Sequence, residues 1–134
     1  MSNVEHSCWN PSGYERPYRR LDAWQHGTTT AKRIYRVTRN FPDDEKFGLV
    51  SQLRRSAVSV PNNIAEGAGR GSSTDFRRFL YMARGSLNEL DTGLEIAADL
   101  GYLSTRQMDF LEAPYVRLWK TLNGLIRSID RKQK

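Results

Sequence analysis

The feature that most constrains this chain is a helical spacing of apolar residues, which recurs in four successive segments with no alternating strand pattern between them. The first stripe is weakened by Gly27 and a run of three threonines, which are poor helix formers, and it comprises Leu21, Trp24, Thr28, Ala31, Tyr35 and Thr38. The three later stripes comprise Val50, Leu53, Ala57, Val60 and Ile64, then Phe76, Leu80, Ala83, Leu87, Leu90, Leu94 and Ala97, then Met108, Leu111, Tyr115, Leu118, Leu122, Leu125 and Ile129. These stripes predict a helical core.

Helix start and stop signals separate the four stripes. Pro42 and the three acids near it suit the first turn of the second helix, Asp75 helps to open the third, and Gly101 ends it. Ser104 and Gln107 form a capping-box pattern for the fourth helix. The predicted helices span about 22–40, 43–67, 74–100 and 104–131.

Short connections between the helices favour an all-α, antiparallel up-down-up-down four-helix bundle. The length of 134 residues suits one compact domain, which we assign to residues 18–134. Residues 1–17 contain two prolines and a glycine without any apolar period, and they predict a flexible arm.

The same composition limits the cellular context and the chemistry. The chain has one cysteine and no leader-like or long apolar segment, so we expect a cytoplasmic protein without disulfides or membrane contact. His6 and Cys8 form a His-x-Cys pair, but the chain has only one other histidine, His26. A tetrahedral zinc site would need carboxylates from elsewhere, so we predict no metal and no cofactor.

The stretch SVPNNIAEG, at residues 59–67, interrupts the second stripe with polar residues. On a helical wheel the polar residues fall on one narrow stripe opposite the apolar one, and that stripe comprises Gln52, Arg55, Ser59, Asn62 and Glu66. Pro61 predicts a kink, with Ser59 or Asn62 serving the freed backbone groups, and Gly67 is expected to end the helix.

Catalysis is not the preferred interpretation of this stretch. Glu66 has no second acid at a useful helical spacing, and Ser59 has no recognisable base partner. An interhelical polar network or a subunit contact is favoured instead. The glycines of GAGRGSS complete neither a Walker nor a dinucleotide motif and are typical of a helix connector, although Arg77 and Arg78 leave room for an anion at the start of the third helix.

Three motifs in this region resemble a known family: FP-x-x-E-x-F-G-L, then Q-L-R-R-S-A-V-S-V-P-x-N-I-A-E-G, then F-x-x-F-L-x-x-A-x-G-S-L-x-E-L. The chain resembles the four-helix-bundle family named after proteins encoded in intervening sequences of bacterial 23S ribosomal RNA genes, over about residues 18–129. That family is distantly similar to the accessory variability protein of diversity-generating retroelements, a basic pentameric bundle that works with a reverse transcriptase and RNA.

The resemblance implies an antiparallel four-helix bundle that assembles as a homopentamer and has no known catalytic activity. We interpret the residues that match the family signature as determinants of fold and assembly, and they include Gln52, Arg55, Ser59, Pro61, Asn63, Glu66, Gly67, Gly85 and Ser86. The arm before Tyr18 lies outside the family pattern.

The charge is distributed unevenly along the predicted bundle. The formal net charge is +6, and up-down topology collects ten bases at one end, namely Arg16, Arg19, Arg20, Arg70, Arg77, Arg78, Arg127, Arg131, Lys132 and Lys134. The other end is predicted to hold Asp43, Asp44, Glu45, Glu95, Asp99, Asp109 and Glu112, partly offset by Arg36, Arg39 and Arg106. In a cyclic oligomer the basic ends would form one broad basic face.

Two further features leave alternatives open. A second face of the third helix suits either close approach between subunits or tight packing within the chain, and it comprises Met82, Gly85, Ser86, Gly93 and Ile96. Pro114 indicates either a kink in the fourth helix or a late start of that helix.

The sequence thus predicts a nonenzymatic, homo-oligomeric scaffold or adaptor that binds RNA or another nucleic acid through the basic end. The alternative is a protein-interaction module whose basic face docks an acidic protein without nucleic acid. The remaining alternative, a hydrolase or nuclease, is least favoured because one carboxylate in a polar stripe makes neither a metal site nor an acid–base pair.

Overall fold

The computed structural model describes residues 8–132, and within this range it contains four α-helices and no β-strand. The helices are α1 (Asp22–Thr38), α2 (Leu49–Ala68), α3 (Ser73–Asp99) and α4 (Thr105–Lys132). Three short 3-10 turns, at Pro11–Gly13, Pro17–Arg20 and Asp43–Glu45, lie outside them. The predicted all-α class is confirmed.

One apolar core joins the four helices. The α2 stripe is entirely buried, as are most residues of the α3 and α4 stripes. The largest fully buried apolar side chains are Ile34, Val60, Leu53, Ile64, Leu80, Leu87, Leu90, Leu118 and Leu122. Helix α1 packs against α2 and α4, and α3 packs against the same two helices. Removal of this apolar surface from water stabilises the bundle by about 25 cal/mol per Å² buried.

Of the predicted core stripe of α1, Ala31 and Thr38 are buried, and the other four residues are not fully buried. Trp24 and Thr28 are only half-buried, and Tyr35 is 42% exposed. The buried stripe is offset from the predicted one and comprises Ala23, Gly27, Thr30, Ile34 and Val37. This offset stripe is buried because its small side chains let the helices approach closely. A Cβ built on Gly27 would lie 3.3 Å from Pro61 Cβ, so the glycine allows close contact between α1 and α2.

Helix α2 begins at Leu49, six residues later than predicted. The acidic segment instead forms the 3-10 turn Asp43–Glu45, and Gly48 has the non-helical backbone angles φ −108° and ψ −108°. One carboxylate oxygen of Glu45 accepts a 3.4 Å hydrogen bond from the Leu49 backbone N–H. Its other oxygen accepts one of 3.0 Å from the Tyr102 hydroxyl, so Glu45 ties the start of α2 to the α3–α4 connection.

The polar residues of the stretch 59–67 do not end helix α2. Helix α2 continues through Pro61 to Ala68, and Pro61 is buried. The side-chain amide of Asn63, rather than that of Asn62, donates 2.9 Å to the backbone carbonyl oxygen of Ser59. Gly67 lies inside the helix, and a Cβ built on it would lie 2.7 Å from Phe79 Cβ, so close packing on α3 requires the glycine there.

Specific interactions define the start and end of α3 and the start of α4. Ser72 Oγ accepts from the Asp75 backbone N–H at 3.2 Å, and Gly101 follows α3 with a left-handed φ of +79°. Ser104 and Gln107 exchange the two hydrogen bonds of the capping box, at 2.9 and 3.1 Å. Helix α4 runs through the buried Pro114, so the late start is ruled out.

Candidate nucleic-acid interface

The beginning of α3 meets the end of α4 through an ion pair. Arg77 Nε donates a hydrogen bond to an Asp130 carboxylate oxygen at 2.5 Å, and the Tyr81 hydroxyl donates to the other oxygen at 3.3 Å. The hydrogen bond from Arg77 holds the pKa of Asp130 below its usual value and raises that of Arg77. Arg77 thus joins two helices as well as adding charge.

Two arginines flank Phe79 at the same end of the bundle. The guanidinium carbons of Arg70 and Arg78 lie 4.7 and 4.6 Å from the Phe79 ring centroid. Arg70 pairs with Glu66 at 2.9 Å, and Arg78 pairs with Asp75 at 3.8 Å. The Arg78 side chain is still 59% exposed, so its ion pair leaves it accessible to another anion.

The arginines before α1 are held by their neighbours. Arg16 donates to the backbone carbonyl oxygen of Trp9 at 3.4 Å, and Arg20 pairs with Glu15. The Arg19 guanidinium carbon lies 4.9 Å from the centre of the Trp24 ring, which also meets Tyr18 edge to face at 5.3 Å.

The bases that the sequence assigns to this end, which we call the basic end face, number nine within residues 8–132; five acids accompany them, which leaves an excess of four positive charges. The bases are Arg16, Arg19, Arg20, Arg70, Arg77, Arg78, Arg127, Arg131 and Lys132, of which all but Arg16, Arg19 and Arg77 are exposed. The acids are Glu15, Asp22, Glu66, Asp75 and Asp130. Sequence reasoning omitted these acids from the charge of this end, although they are visible beside the arginines in the sequence. Lys134 and His6 lie outside the described residues.

A second basic region, which sequence reasoning missed, is a groove of about 560 Å³ between α1 and α2. We call it the basic groove. Its lining includes three aromatic and three basic side chains, namely Tyr18, Trp24, Tyr35, Lys32, Arg36 and Arg39. The signal was the α1 stripe itself: the same helical spacing that suggested core residues places aromatic and basic residues side by side along one face.

A cleft of about 410 Å³ between α3 and α4 carries the opposite charge. We call it the acidic cleft, and its charged lining residues are Asp91, Glu95, Asp99 and Glu112. The Tyr115 hydroxyl donates a hydrogen bond to Asp91. Burial, followed by this hydrogen bond, raises the pKa of Tyr115 well above its usual value. Glu95, Asp99 and Glu112, which the sequence assigns to the end opposite the bases, thus line a cleft on one side of the bundle together with Asp91.

The remaining signature residues divide into two groups. Ser59 and Ser86 join α2 to α3 through a 2.7 Å hydrogen bond between their hydroxyls. Gln52 and Arg55 are instead exposed in a groove that Glu89 also lines.

The second face of α3 divides in the same way. A Cβ built on Gly85 would meet no atom within 4 Å, and Met82 and Ile96 are 46% and 47% exposed. Ser86 and Gly93, by contrast, face α2, where a Cβ on Gly93 would lie 2.7 Å from Leu53 Cδ2. Packing within the chain therefore accounts for Ser86 and Gly93 but not for Gly85.

Within residues 8–132, no three His, Cys, Asp or Glu side chains converge in a way that could hold a metal ion. His26 is half-buried on α1, and burial lowers its pKa; Cys8 is exposed. A search of the helices in this part of the chain found none with the length and apolarity needed to cross a membrane.

The described helices define a four-helix, all-α protein. The model of the family described as 23S rRNA-intervening sequence protein matches residues 19–124. The chain therefore belongs to that family, which agrees with the sequence resemblance. A comparison with curated proteins gave no match.

Proposed function

We propose that this protein is a nonenzymatic, homo-oligomeric scaffold or adaptor in the cytoplasm, which binds RNA through its basic end face. The observation that carries the proposal is the excess of four positive charges on that face, where Arg127, Arg131 and Lys132 are exposed. Arginine forks onto phosphate oxygens, and several phosphate contacts on one face give salt-dependent affinity for a polyanion.

The proposal includes the up-down-up-down topology. Five contacts support it, because the residue numbers run in opposite directions on α2 and α3 and on α3 and α4. On α2 and α3, Leu53 approaches Gly93 and Ser59 meets Ser86. On α3 and α4, the pairs are Arg77 with Asp130, Arg84 with Asn123 and Asp91 with Tyr115. The beginning of α3 and the end of α4 thereby share the basic end face.

Self-association is supported by the outer side of α3. Met82 and Ile96 are large apolar residues that stay about half exposed, and Gly85 between them leaves open space at the helix surface. A glycine in a helix interior costs about 1 kcal/mol relative to alanine, and no contact within residues 8–132 explains that cost at Gly85. Close approach of a second copy of the chain does explain it. In a pentamer, five basic end faces would point in one direction and bind a polyanion multivalently.

The test is fluorescence polarisation with a labelled structured RNA, titrated across salt concentrations in the presence of a sulfated polysaccharide. If about four phosphates are neutralised, the slope of log K against log salt should be about −3 to −4. Binding at physiological salt that resists the polysaccharide supports the proposal. Binding that the polysaccharide abolishes contradicts it.

Charge reversal then locates the binding surface. Arg78→Glu with Arg131→Glu should weaken RNA binding at least tenfold without loss of helicity, because both side chains are exposed. These positions are preferable to Arg77, whose reversal would also break its ion pair with Asp130. A matched control, Lys46→Glu with Arg106→Glu, makes the same charge change at exposed positions outside the basic end face. Equal losses in both variants would mean that only net charge matters.

A further inference from the structure

The basic groove carries more information about a ligand than its charge alone. All charged residues that line it within residues 8–132 are basic, namely Lys32, Arg36 and Arg39. Trp24 and Tyr35 are only partly buried, although both belong to residue types that usually contribute to a core. An aromatic surface bordered by positive charge suits a ligand that has both flat rings and phosphates.

Both aromatic rings are already held by arginines. The Arg19 guanidinium carbon lies 4.9 Å from the centre of the Trp24 ring, and that of Arg54 lies 4.6 Å from the centre of the Tyr35 ring. Arg54 is itself fixed, because its Nε donates 2.9 Å to Thr38 Oγ1 and its Nη2 donates 3.3 Å to the Tyr35 carbonyl oxygen. The rings are therefore oriented before any ligand arrives, which lowers the entropic cost of stacking on them.

The spacing of the rings matches an extended ligand. Trp24 and Tyr35 are eleven residues apart on α1, which separates their Cα atoms by about 16 Å. Tyr18 lies beside Trp24 at the end of the groove next to the basic end face, and Arg36 and Arg39 lie beyond Tyr35. A flexible strand could leave the basic end face, stack on Trp24 and Tyr35 in turn, and place phosphates near the last two arginines.

We infer that the basic groove binds unpaired nucleotides of single-stranded RNA, with bases stacked on Trp24 and Tyr35 and phosphates held by Arg36 and Arg39. The inference rests on the proposed function, because it assigns a strand state and a second site to the same RNA-binding protein. A duplex buries its base faces in its own stack, so it offers nothing for these rings. The basic end face contacts phosphates and serves either form of RNA.

The test uses two fluorescent RNAs of equal length, an unstructured oligouridine and a blunt duplex, with the full chain. Trp24→Ala should weaken oligouridine binding about tenfold or more, since each base stacked on an aromatic side chain contributes strongly to affinity. The same variant should change duplex binding less than about threefold. Phe47→Ala is the matched control, because Phe47 is an aromatic residue that is 89% exposed outside the groove, and it should change neither affinity.

A second variant guards against misfolding of Trp24→Ala. Asn62 lines the groove from α2 and is exposed, so Asn62→Glu introduces a negative charge without removing core packing. It should weaken oligouridine binding about fivefold or more while leaving helicity unchanged.

Each result has a separate meaning for the two proposals. If both variants bind oligouridine as the wild type does, while reversal of Arg78 and Arg131 weakens it, the groove inference is overturned and the RNA-binding function stands. If the wild type binds neither RNA, the proposed function fails and the inference falls with it. If Asn62→Glu changes the oligomer mass in sedimentation but not RNA affinity, the groove holds a second copy of the chain and the inference is wrong.

Discussion

The basic groove and the acidic cleft are alike in build and opposite in charge. Each is a depression between two neighbouring helices, with volumes of about 560 and 410 Å³, and each is bordered by a tyrosine and apolar side chains. In the basic groove, Arg54 lies over the Tyr35 ring; in the acidic cleft, the Tyr115 hydroxyl donates to Asp91. One tyrosine is thus fixed by a cation and the other by an anion.

The difference in charge between the basic groove and the acidic cleft separates the contribution of shape to ligand binding from the contribution of charge. Helix packing alone leaves depressions along a bundle surface, so their presence indicates no ligand. Only the residues at the edges decide which ligand is attracted, and a polyanion is attracted to Lys32, Arg36 and Arg39 but repelled by Glu95, Asp99 and Glu112. The acidic cleft therefore serves as an internal control for every experiment on the basic groove.

The largest expected effect comes from exchanging the charge of the groove. Arg36→Glu with Arg39→Glu should weaken single-stranded RNA binding at least tenfold at about 0.1 M salt, since two phosphate contacts become repulsive. The mirror variant, Glu95→Lys with Asp99→Lys, should not weaken it. Polarisation titrations of both variants measure the difference. A mirror variant that loses as much affinity would show that the two depressions are equivalent for RNA.

Salt dependence should separate charge from stacking within the basic groove. Neutralising two phosphate contacts by Arg36→Gln with Arg39→Gln should make the slope of log K against log salt shallower by about 1.4, at about 0.7 per contact for a single strand. Trp24→Ala should lower affinity without changing the slope, because an aromatic ring releases no counterions. A change of slope in Trp24→Ala would contradict the stacking role of that ring.

The fold and the basic groove also show which features can be predicted from the sequence. The α2, α3 and α4 stripes and the Ser104–Gln107 capping box were predicted from spacing, because apolar periodicity and short-range hydrogen bonds are local properties. The basic groove was not predicted, because α1 carries two interleaved stripes. The stripe with Trp24 and Tyr35 has the larger side chains and therefore looks like the core-facing one. The stripe that is actually buried consists of alanine, glycine and threonine as well as Ile34 and Val37.

The ion pair between Arg77 and Asp130 at the basic end face cannot be predicted from local sequence patterns. The partners Arg77 and Asp130 are fifty-three residues apart, and only the packing of α3 on α4 brings them together. The sequence predicted that both helix ends meet, but a count of arginines alone overestimated the free charge there. The acids at the same end lower the net positive charge there.

The close contact between α1 and α2 should have a smaller effect than the charges, and this effect is on stability. Helices α1 and α2 touch at Gly27, where an added Cβ would lie 3.3 Å from Pro61 Cβ, so Gly27→Ala should destabilise the fold by up to about 1 kcal/mol. Gly124→Ala is the matched control: on α4 an added Cβ would lie 3.8 Å from Arg127 Nη2 and meet no other described atom within 4 Å, so alanine should stabilise that helix by about 1 kcal/mol. Urea unfolding at one protein concentration measures both. Equal stabilisation by the two alanines would mean that α1 and α2 can separate freely at Pro61.

The smallest effect concerns the titration of Tyr115 in the acidic cleft. Burial and the hydrogen bond to Asp91 raise the pKa of Tyr115 in the folded state, so the neutral phenol stabilises the fold. That contribution is complete below the unfolded-state pKa of about 10 and declines as pH rises above it. Tyr115→Phe should therefore lower the free energy of unfolding at pH 7 by about 1 kcal/mol, through loss of the hydrogen bond.

The pH profile of that variant completes the comparison between the two sides. Between about pH 9 and 11 the wild type should lose stability faster than Tyr115→Phe, because only the wild type must keep this phenol protonated in order to stay folded. Urea unfolding at several pH values measures the two curves. Parallel curves would mean that Tyr115 ionises in the folded state as it does in the unfolded chain. Burial and the hydrogen bond to Asp91 would then leave the ionisation of Tyr115 unchanged, and this tyrosine would no longer distinguish the acidic cleft from the basic groove.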